Sequence, residues 1–202
     1  MTEHPSGFFE ATEMPTTGWW EALWPDPARV LDAVGITNGI DVVDLCSGDG
    51  WFTLAIAQRA RSVIAIDIDK QLLDVSRARL MENGLTNCTF VTGDAYDIRQ
   101  HVSQSVNFVF LANAFHGVPD RLRLACAVHD VLKSRGHFAV VNWYPRDREK
   151  SKVLGEPRGP PTELRMSPDI TIKAIEPSGF RALQVVDVPP YHYGAVFERC
   201  DS

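Results

Sequence analysis

No apolar run in the 202-residue chain approaches the roughly 20 residues needed to cross a bilayer. The opening stretch has no basic segment followed by an apolar one, so no secretion signal is expected. Cys46, Cys88, Cys126 and Cys200 form no Cys-x-x-Cys pair. Neither a disulfide framework nor a zinc site is therefore expected, and the thiols read as reduced and cytoplasmic, with no metal. Basic charge is also short. Lys and Arg number 20 against 26 Asp and Glu, a net charge of −6. A domain-wide positive field for nucleic acid or anionic membrane is thus missing, and neither partner is expected, although a local patch is compatible with this balance. There is no internal repeat and no low-complexity tract. What remains is 45% hydrophobic and 23% charged, an ordinary globular composition long enough for one sizeable core.

Two kinds of segment alternate along the chain. Short β-branched runs lie at residues 42–45, 63–67, 89–91, 106–112 and 137–143, separated by longer stretches with helical spacing. This pattern predicts an α/β fold with a doubly wound, mostly parallel sheet covered on both faces. The punctuation agrees. Asp26 and Pro27 open a helix that Gly35 closes, Asp69 caps a helix ending at Asn83-Gly84, and Ser167-Pro168 starts another. Two last runs, 181–188 and 192–199, are joined too closely for a parallel crossover. They form an antiparallel hairpin and bring the expected sheet to seven strands.

Two stretches break the alternation. Residues 1–24 are irregular and carry Phe8, Phe9, Trp19, Trp20 and Trp24. They read either as a lid or, through the tryptophans, as an edge cluster anchoring the first helix of the main domain, 25–202. Residues 144–166 are charged and rich in Pro and Gly, longer than a structureless connection usually is. Their basic residues outnumber their acids, which suits an anionic substrate or simply a solvated charge run.

The first strand runs into its helix through Asp44-Leu45-Cys46-Ser47-Gly48-Asp49-Gly50. Gly48 and Gly50 bend the backbone and let a ligand approach main-chain N–H groups, with a helix N-terminus behind them. Asp67 ends the second strand, at the spacing of an acid that accepts bonds from ribose hydroxyls. Asp94 ends the third, and its position suits two roles: a helix cap, or a carboxylate for the exocyclic amine of a purine. A nicotinamide-binding Rossmann domain is the nearest rival. Its third glycine is Thr53 here, and no residues remain for a substrate half.

The segments VVDLCSGDGWFT, VIAIDID, FVTGDAYD, NFVFLANAFHGVPD and LKSRGHFAVVNW resemble, in order and spacing, the successive motifs of class I S-adenosylmethionine-dependent methyltransferases. GPPTELRMSPDITIKAIEPSGF resembles the region after the fifth strand in the UbiE-like small-molecule type. The resemblance implies S-adenosyl-L-methionine as cofactor and S-adenosyl-L-homocysteine as product. It places Asp44 and the turn Cys46, Gly48, Gly50 at the methionine end, Asp67 at the ribose and Ile68 on the adenine. It further puts Asp94 and the Ala95 N–H at the adenine amine, with Asn113 and Ala114 beside the sulfonium. The chain departs from the pattern twice. Cys46 stands where the first glycine is usual, and Asn107 where an acid is common before the fourth strand. A cysteine suits the turn if that position needs no positive φ. Near a helix N-terminus its thiol is reactive or, as a small residue in a tight turn, structural.

Methyl transfer asks mainly for alignment and, where the acceptor carries a proton, a base. His116, at the end of the fourth strand, is the first candidate, with packing under the next loop as its alternative role. Tyr144 leaves the fifth strand with Asn142 and Trp143 toward the same edge and is the second. Tyr191, His192 and Tyr193 on the hairpin are expected to pack. The expected function is methyl transfer to a small molecule. A protein or RNA acceptor, and a binding module without turnover, are the alternatives.

Overall fold

A computed structural model describes residues 7–201; residues 1–6 of the irregular opening stretch lie outside the described residues. The elements in chain order are α1 (Thr17–Leu23), α2 (Pro27–Val34), β1 (Asp41–Leu45), α3 (Trp51–Ala57), β2 (Ser62–Asp67), α4 (Lys70–Glu82), β3 (Cys88–Thr92), α5 (Ile98–His101) and β4 (Val106–Ala112). They continue with α6 (Arg121–Val131), β5 (Leu132–Trp143), β6 (Lys152–Val153), β7 (Glu156–Pro157), α7 (Pro168–Ile175), β8 (Phe180–Val188) and β9 (His192–Arg199). The seven-stranded sheet has the order β3-β2-β1-β4-β5-β9-β8. β1 to β5 pair in parallel, and β9 pairs antiparallel with both β5 and β8.

The order reverses beside β1, where β2 lies on one side and β4 on the other. In a doubly wound sheet this switch point opens a crevice at the carboxyl ends of the strands. Side chains alternate between two cores, as the period of a strand requires. Val43 and Leu45 join Val109, Leu111, Phe138 and Val140 under α6 and α7. Val42 joins Phe108, Phe110, Ala139 and Val141 under α2 and α3.

The helix starts follow the sequence signals. The carboxylate of Asp26 accepts from the N–H of Ala28, that of Asp69 from the N–H groups of Gln71 and Leu72, and the hydroxyl of Ser167 from the N–H of Ile170. Each satisfies donors that a helix leaves unpaired at its first turn.

Three stretches are more regular than their sequences suggest. Residues 17–23 form α1, and its Trp19 and Trp20, with Trp24, pack against Phe52, Trp143 and His192. The helix is thus held by tertiary burial rather than by capping, since Thr16 provides no side-chain bond. Within 144–166 a short hairpin, β6 and β7, is held by the buried Arg165. The Arg165 guanidinium donates to the carbonyls of Pro160, Arg146 and Arg158 and to the Ser151 hydroxyl. β5 begins five residues before the expected 137, because α6 passes straight into it across a register shift opposite β4.

Asn107, the departure before the fourth strand, ties three strands together. Its Oδ1 accepts from the Asp41 N–H at 3.1 Å and from Lys133 Nζ at 2.9 Å.

Candidate active site

A cavity of about 370 Å³ lies along the carboxyl ends of β1 to β5, within the roughly 300–1,000 Å³ range of small-molecule sites. Its floor is built by strand ends. β1 supplies Asp44 and the turn Cys46-Ser47-Gly48-Asp49, β2 supplies Asp67 and Ile68, and the end of β3 supplies Gly93 and Ala95. β4 leads to Asn113, Ala114 and His116, and β5 ends at Trp143. The roof comes from the two irregular stretches, residues 7–15 and Arg148, Arg158, Gly159 and Pro160.

The turn after β1 is bent by three consecutive left-handed positions at alternate residues: Cys46 at φ 58, Gly48 at φ 57 and Gly50 at φ 81. The condition placed on Cys46 is therefore not met; this cysteine does adopt positive φ, which costs a side-chain-bearing residue of order 1 kcal/mol or more. Its thiol is pushed well above its ordinary value by burial and by the carboxylates of Asp67, Asp44 and Asp94. Burial and these charges disfavour a thiolate at this position. At Gly48 a Cβ would stand 1.8 Å from the tip of Met14, so glycine is what lets the 7–16 segment close on the turn.

Asp67 holds the turn in place. One oxygen accepts from the Gly48 N–H at 2.8 Å and the other from the Asp69 N–H at 2.9 Å. Burial nevertheless raises its pKa, with these two donors working against the shift. Each oxygen keeps a second lone pair for a hydroxyl. Asp44 is buried, accepts the Thr53 hydroxyl at 2.6 Å, and has its pKa raised to about 7, chiefly by burial and secondarily by Asp67.

Asp94 takes the capping role, accepting from the Tyr96 N–H at 2.9 Å. Its other oxygen sits under Gly7, and it lies behind the wall that its neighbours Gly93 and Ala95 form. Asn113 has φ 57, and both polar atoms of its buried amide lack a partner. So does the hydroxyl of Ser47. Buried polar groups left unpaired are costly, and these two line the cavity. They mark where a polar ligand fits.

His116 lines the cavity, but neither ring nitrogen is free. Nε2 lies 2.9 Å from the Ala11 carbonyl and Nδ1 3.3 Å from Asn142 Oδ1. The shorter contact assigns the N–H to Nε2. Burial lowers the pKa of the ring, which keeps it neutral near pH 7. Tyr144 is not brought to the site. Its hydroxyl donates to Asp187 at 2.5 Å, and that carboxylate pushes its pKa up to about 12. The side chain turns from the cavity because alternate residues of an extended chain face opposite ways, and Trp143 takes the inward direction. The hairpin residues pack, as expected: Tyr193 bonds Thr171 at 2.6 Å, Tyr191 donates to the Lys152 carbonyl at 2.8 Å, and His192 lies between Trp24 and Trp143.

The sequence placed Trp143 at this edge and made the 144–166 stretch, with Arg148 and Arg158, a candidate cover of the site; it did not single out Met14 as part of the wall. Met14 sits outside the regular strand–turn–helix pattern and reaches the site through tertiary packing alone.

Residues 42–136 match a family model described as a methyltransferase domain. A demethylmenaquinone methyltransferase of Lactococcus lactis is 25% identical over 122 residues, 59% of this chain and 47% of that protein. A tRNA 5-carboxymethoxyuridine methyltransferase of Escherichia coli K12 is 26% identical over 120 residues, 59% of this chain and 46% of that protein. The chain thus spans about half the length of these curated relatives. Among solved structures, an S-adenosylmethionine-dependent methyltransferase of Aquifex aeolicus superposes with a TM-score of 0.75 at 23% identity, covering 91% of this chain and 93% of that one.

Proposed function

We propose that this chain, whose residues 42–136 match a methyltransferase-domain model, is a class I S-adenosylmethionine-dependent methyltransferase that moves a methyl group to a small-molecule acceptor in the cavity. The observation that carries this reading is the convergence of Asp44, Asp67 and the unpartnered Asn113 amide on one edge of the sheet around a 370 Å³ cavity.

The side chains fit the family's methyl donor. Asp44, with the N–H groups of the glycine turn, suits an ammonium and carboxylate pair; Asp67 suits ribose hydroxyls. Ile68 and Ala95 offer an apolar face and an N–H for a purine, and Asn113 with Ala114 borders the far end. Asp94 serves this reading by shaping the Ala95 turn through its bond to Tyr96. When bound, the donor would supply a methyl carbon activated by its sulfonium, with the sulfur as leaving group. The protein's own work is alignment and exclusion of water. Residues 7–16 act as the lid, with Met14 on the turn and Ala11 on His116. Release of Ala11 lets the ring move its N–H to Nδ1, which faces Asn142 Oδ1, and leaves on Nε2 the lone pair that takes the acceptor's proton where there is one.

A small acceptor is favoured over RNA by the net charge of −6 and by the double roof over the cavity. The relatives whose names specify tRNA keep RNA as the contrasting arm of the test. The free cysteines suit the cytoplasm. Methyl-labelled donor incubated with the protein and fractionated cell extract is expected to label the small-molecule fraction. Label confined to RNA or protein would overturn the acceptor assignment, and absence of S-adenosylhomocysteine release from every fraction would overturn the activity.

A further inference from the structure

The cavity has two chemically different halves. Acids and glycines line the half at β1 to β3, whereas the half at β4 and β5 is walled by Trp19, Trp143 and Ala112 and edged by Arg148 and Arg158. These two arginines sit on a loop that is built rather than loose. Arg165 holds it by four bonds, three of them to carbonyls, and its guanidinium lies 4.7 Å from the Trp143 ring. Burial together with Arg148 and Arg146 lowers the Arg165 pKa to about 10, against an opposing pull from Asp147. Asp147, the nearest acid of the loop, is paired with Lys150 at 2.7 Å.

Arg148 spends one donor on the Gly159 carbonyl, Nε at 3.0 Å. Among the described residues no carboxylate lies within ion-pairing distance of Arg148 or Arg158. Glu13 is the acid that shares this part of the wall, from the opposite roof. Arg148 and Arg158 thus add positive charge at the edge of the wall that Trp19 and Trp143 form. Guanidinium N–H groups recognise planar carboxylates, and aromatic rings pack edge to face against indoles.

We propose that the acceptor is a small aromatic acid, its ring against Trp143 and Trp19 and its carboxylate received by Arg148 and Arg158. This rests on the methyltransferase reading of the same cavity and names the class of its second substrate. The acid group is an anchor for orientation. The arginines hold it at the rim, and the ring's reacting atom faces inward toward Asn113 and His116. Arg148 and Arg158 are then specificity-determining residues, and Arg165 fixes the loop that presents them.

The test is calorimetric titration of naphthoate and its neutral counterpart naphthamide, each with and without saturating S-adenosylhomocysteine, into the wild type and the double variant R148Q/R158Q. The wild type is expected to bind naphthoate about tenfold more tightly than naphthamide, the size of one charge-assisted hydrogen bond. The double variant is expected to bind the two equally, with its affinity for S-adenosylhomocysteine unchanged. Equal affinities in the wild type, no naphthoate binding at millimolar concentration, or a preference surviving in the double variant would each overturn the proposal. Failure of S-adenosylhomocysteine to bind would count against the methyltransferase reading instead. In that case the naphthoate preference measured without it still decides the role of the arginines.

Discussion

Asp44 makes the account quantitative. Its carboxyl has a pKa raised from 3.8 to about 7 by burial, in a cavity whose ligand is expected to bring an ammonium group. Ionisation of Asp44 should therefore be coupled to binding. If the bound state keeps the carboxylate ionised, affinity for S-adenosylhomocysteine follows the ionised fraction of the free protein. That fraction is about one eleventh at pH 6, one half at pH 7 and ten elevenths at pH 8, so affinity rises about tenfold between pH 6 and 8. Titration calorimetry in buffers of different ionisation enthalpy should show up to about one proton released per ligand at pH 6 and almost none at pH 8. Asp44→Asn should bind about 30-fold more weakly at pH 8, for loss of a charged partner worth about 2 kcal/mol, and show a flat pH profile. The free protein should move the other way. A raised carboxyl pKa contributes stability that is present below the unfolded value and is lost as pH rises through about 7. At pH 8 the buried carboxylate, its pKa raised to about 7, costs up to about 4 kcal/mol, and the unliganded Asn variant should melt higher there. A binding profile in the wild type as flat as in the variant would refute the reasoning.

Asp67→Ala removes the acceptor for two backbone N–H groups of the turn and should weaken S-adenosylhomocysteine at least about tenfold; unchanged calorimetric affinity would mean that the site is misplaced. Gly117→Ala places a Cβ 2.1 Å from the Glu10 carbonyl, so the 7–16 segment must lift. Chymotryptic cleavage at Phe8 and Phe9 should accelerate with little change in the main melting transition, and wild-type protection would contradict a lid seated on residue 117. His192 is buried with both ring nitrogens unpaired and a pKa well below 6.5. Unfolding lets it take a proton, so its contribution to stability falls as pH drops below 6.5. His192→Phe should raise stability by about 1 kcal/mol at pH 7 and flatten the acid limb of the melting curve. A lower melting temperature at every pH would contradict this.

The parts of the fold visible in the sequence are those set by local chemistry. Strand ends at Leu45, Asp67 and Ala112, the caps at Asp26, Asp69 and Ser167 and the final hairpin all follow from periodicity and punctuation. The gathering of Asp44, Gly48 and Asp67 at one sheet edge was legible for the same reason, because strand, turn and helix place them without help from distant residues. What stayed hidden depends on tertiary contacts. α1 has no cap and forms because its tryptophans are buried. The order within 144–166 comes from one guanidinium satisfying three carbonyls, which no window of sequence reveals. Asp94 had two positional roles, of which its bond to the Tyr96 N–H shows the cap. Tyr144 was drawn to the site by strand direction but lies on the wrong side of the alternation.

The central claim is that the crevice at β1, β2 and β4 receives the methyl donor. A crystal structure with S-adenosylhomocysteine tests it most directly. The account predicts the amino-acid end at Asp44 and the glycine turn, ribose on Asp67, adenine on Ile68 and sulfur toward Asn113. Ligand bound elsewhere on the molecule, or this crevice still filled by Met14 in crystals grown with saturating ligand, would contradict it.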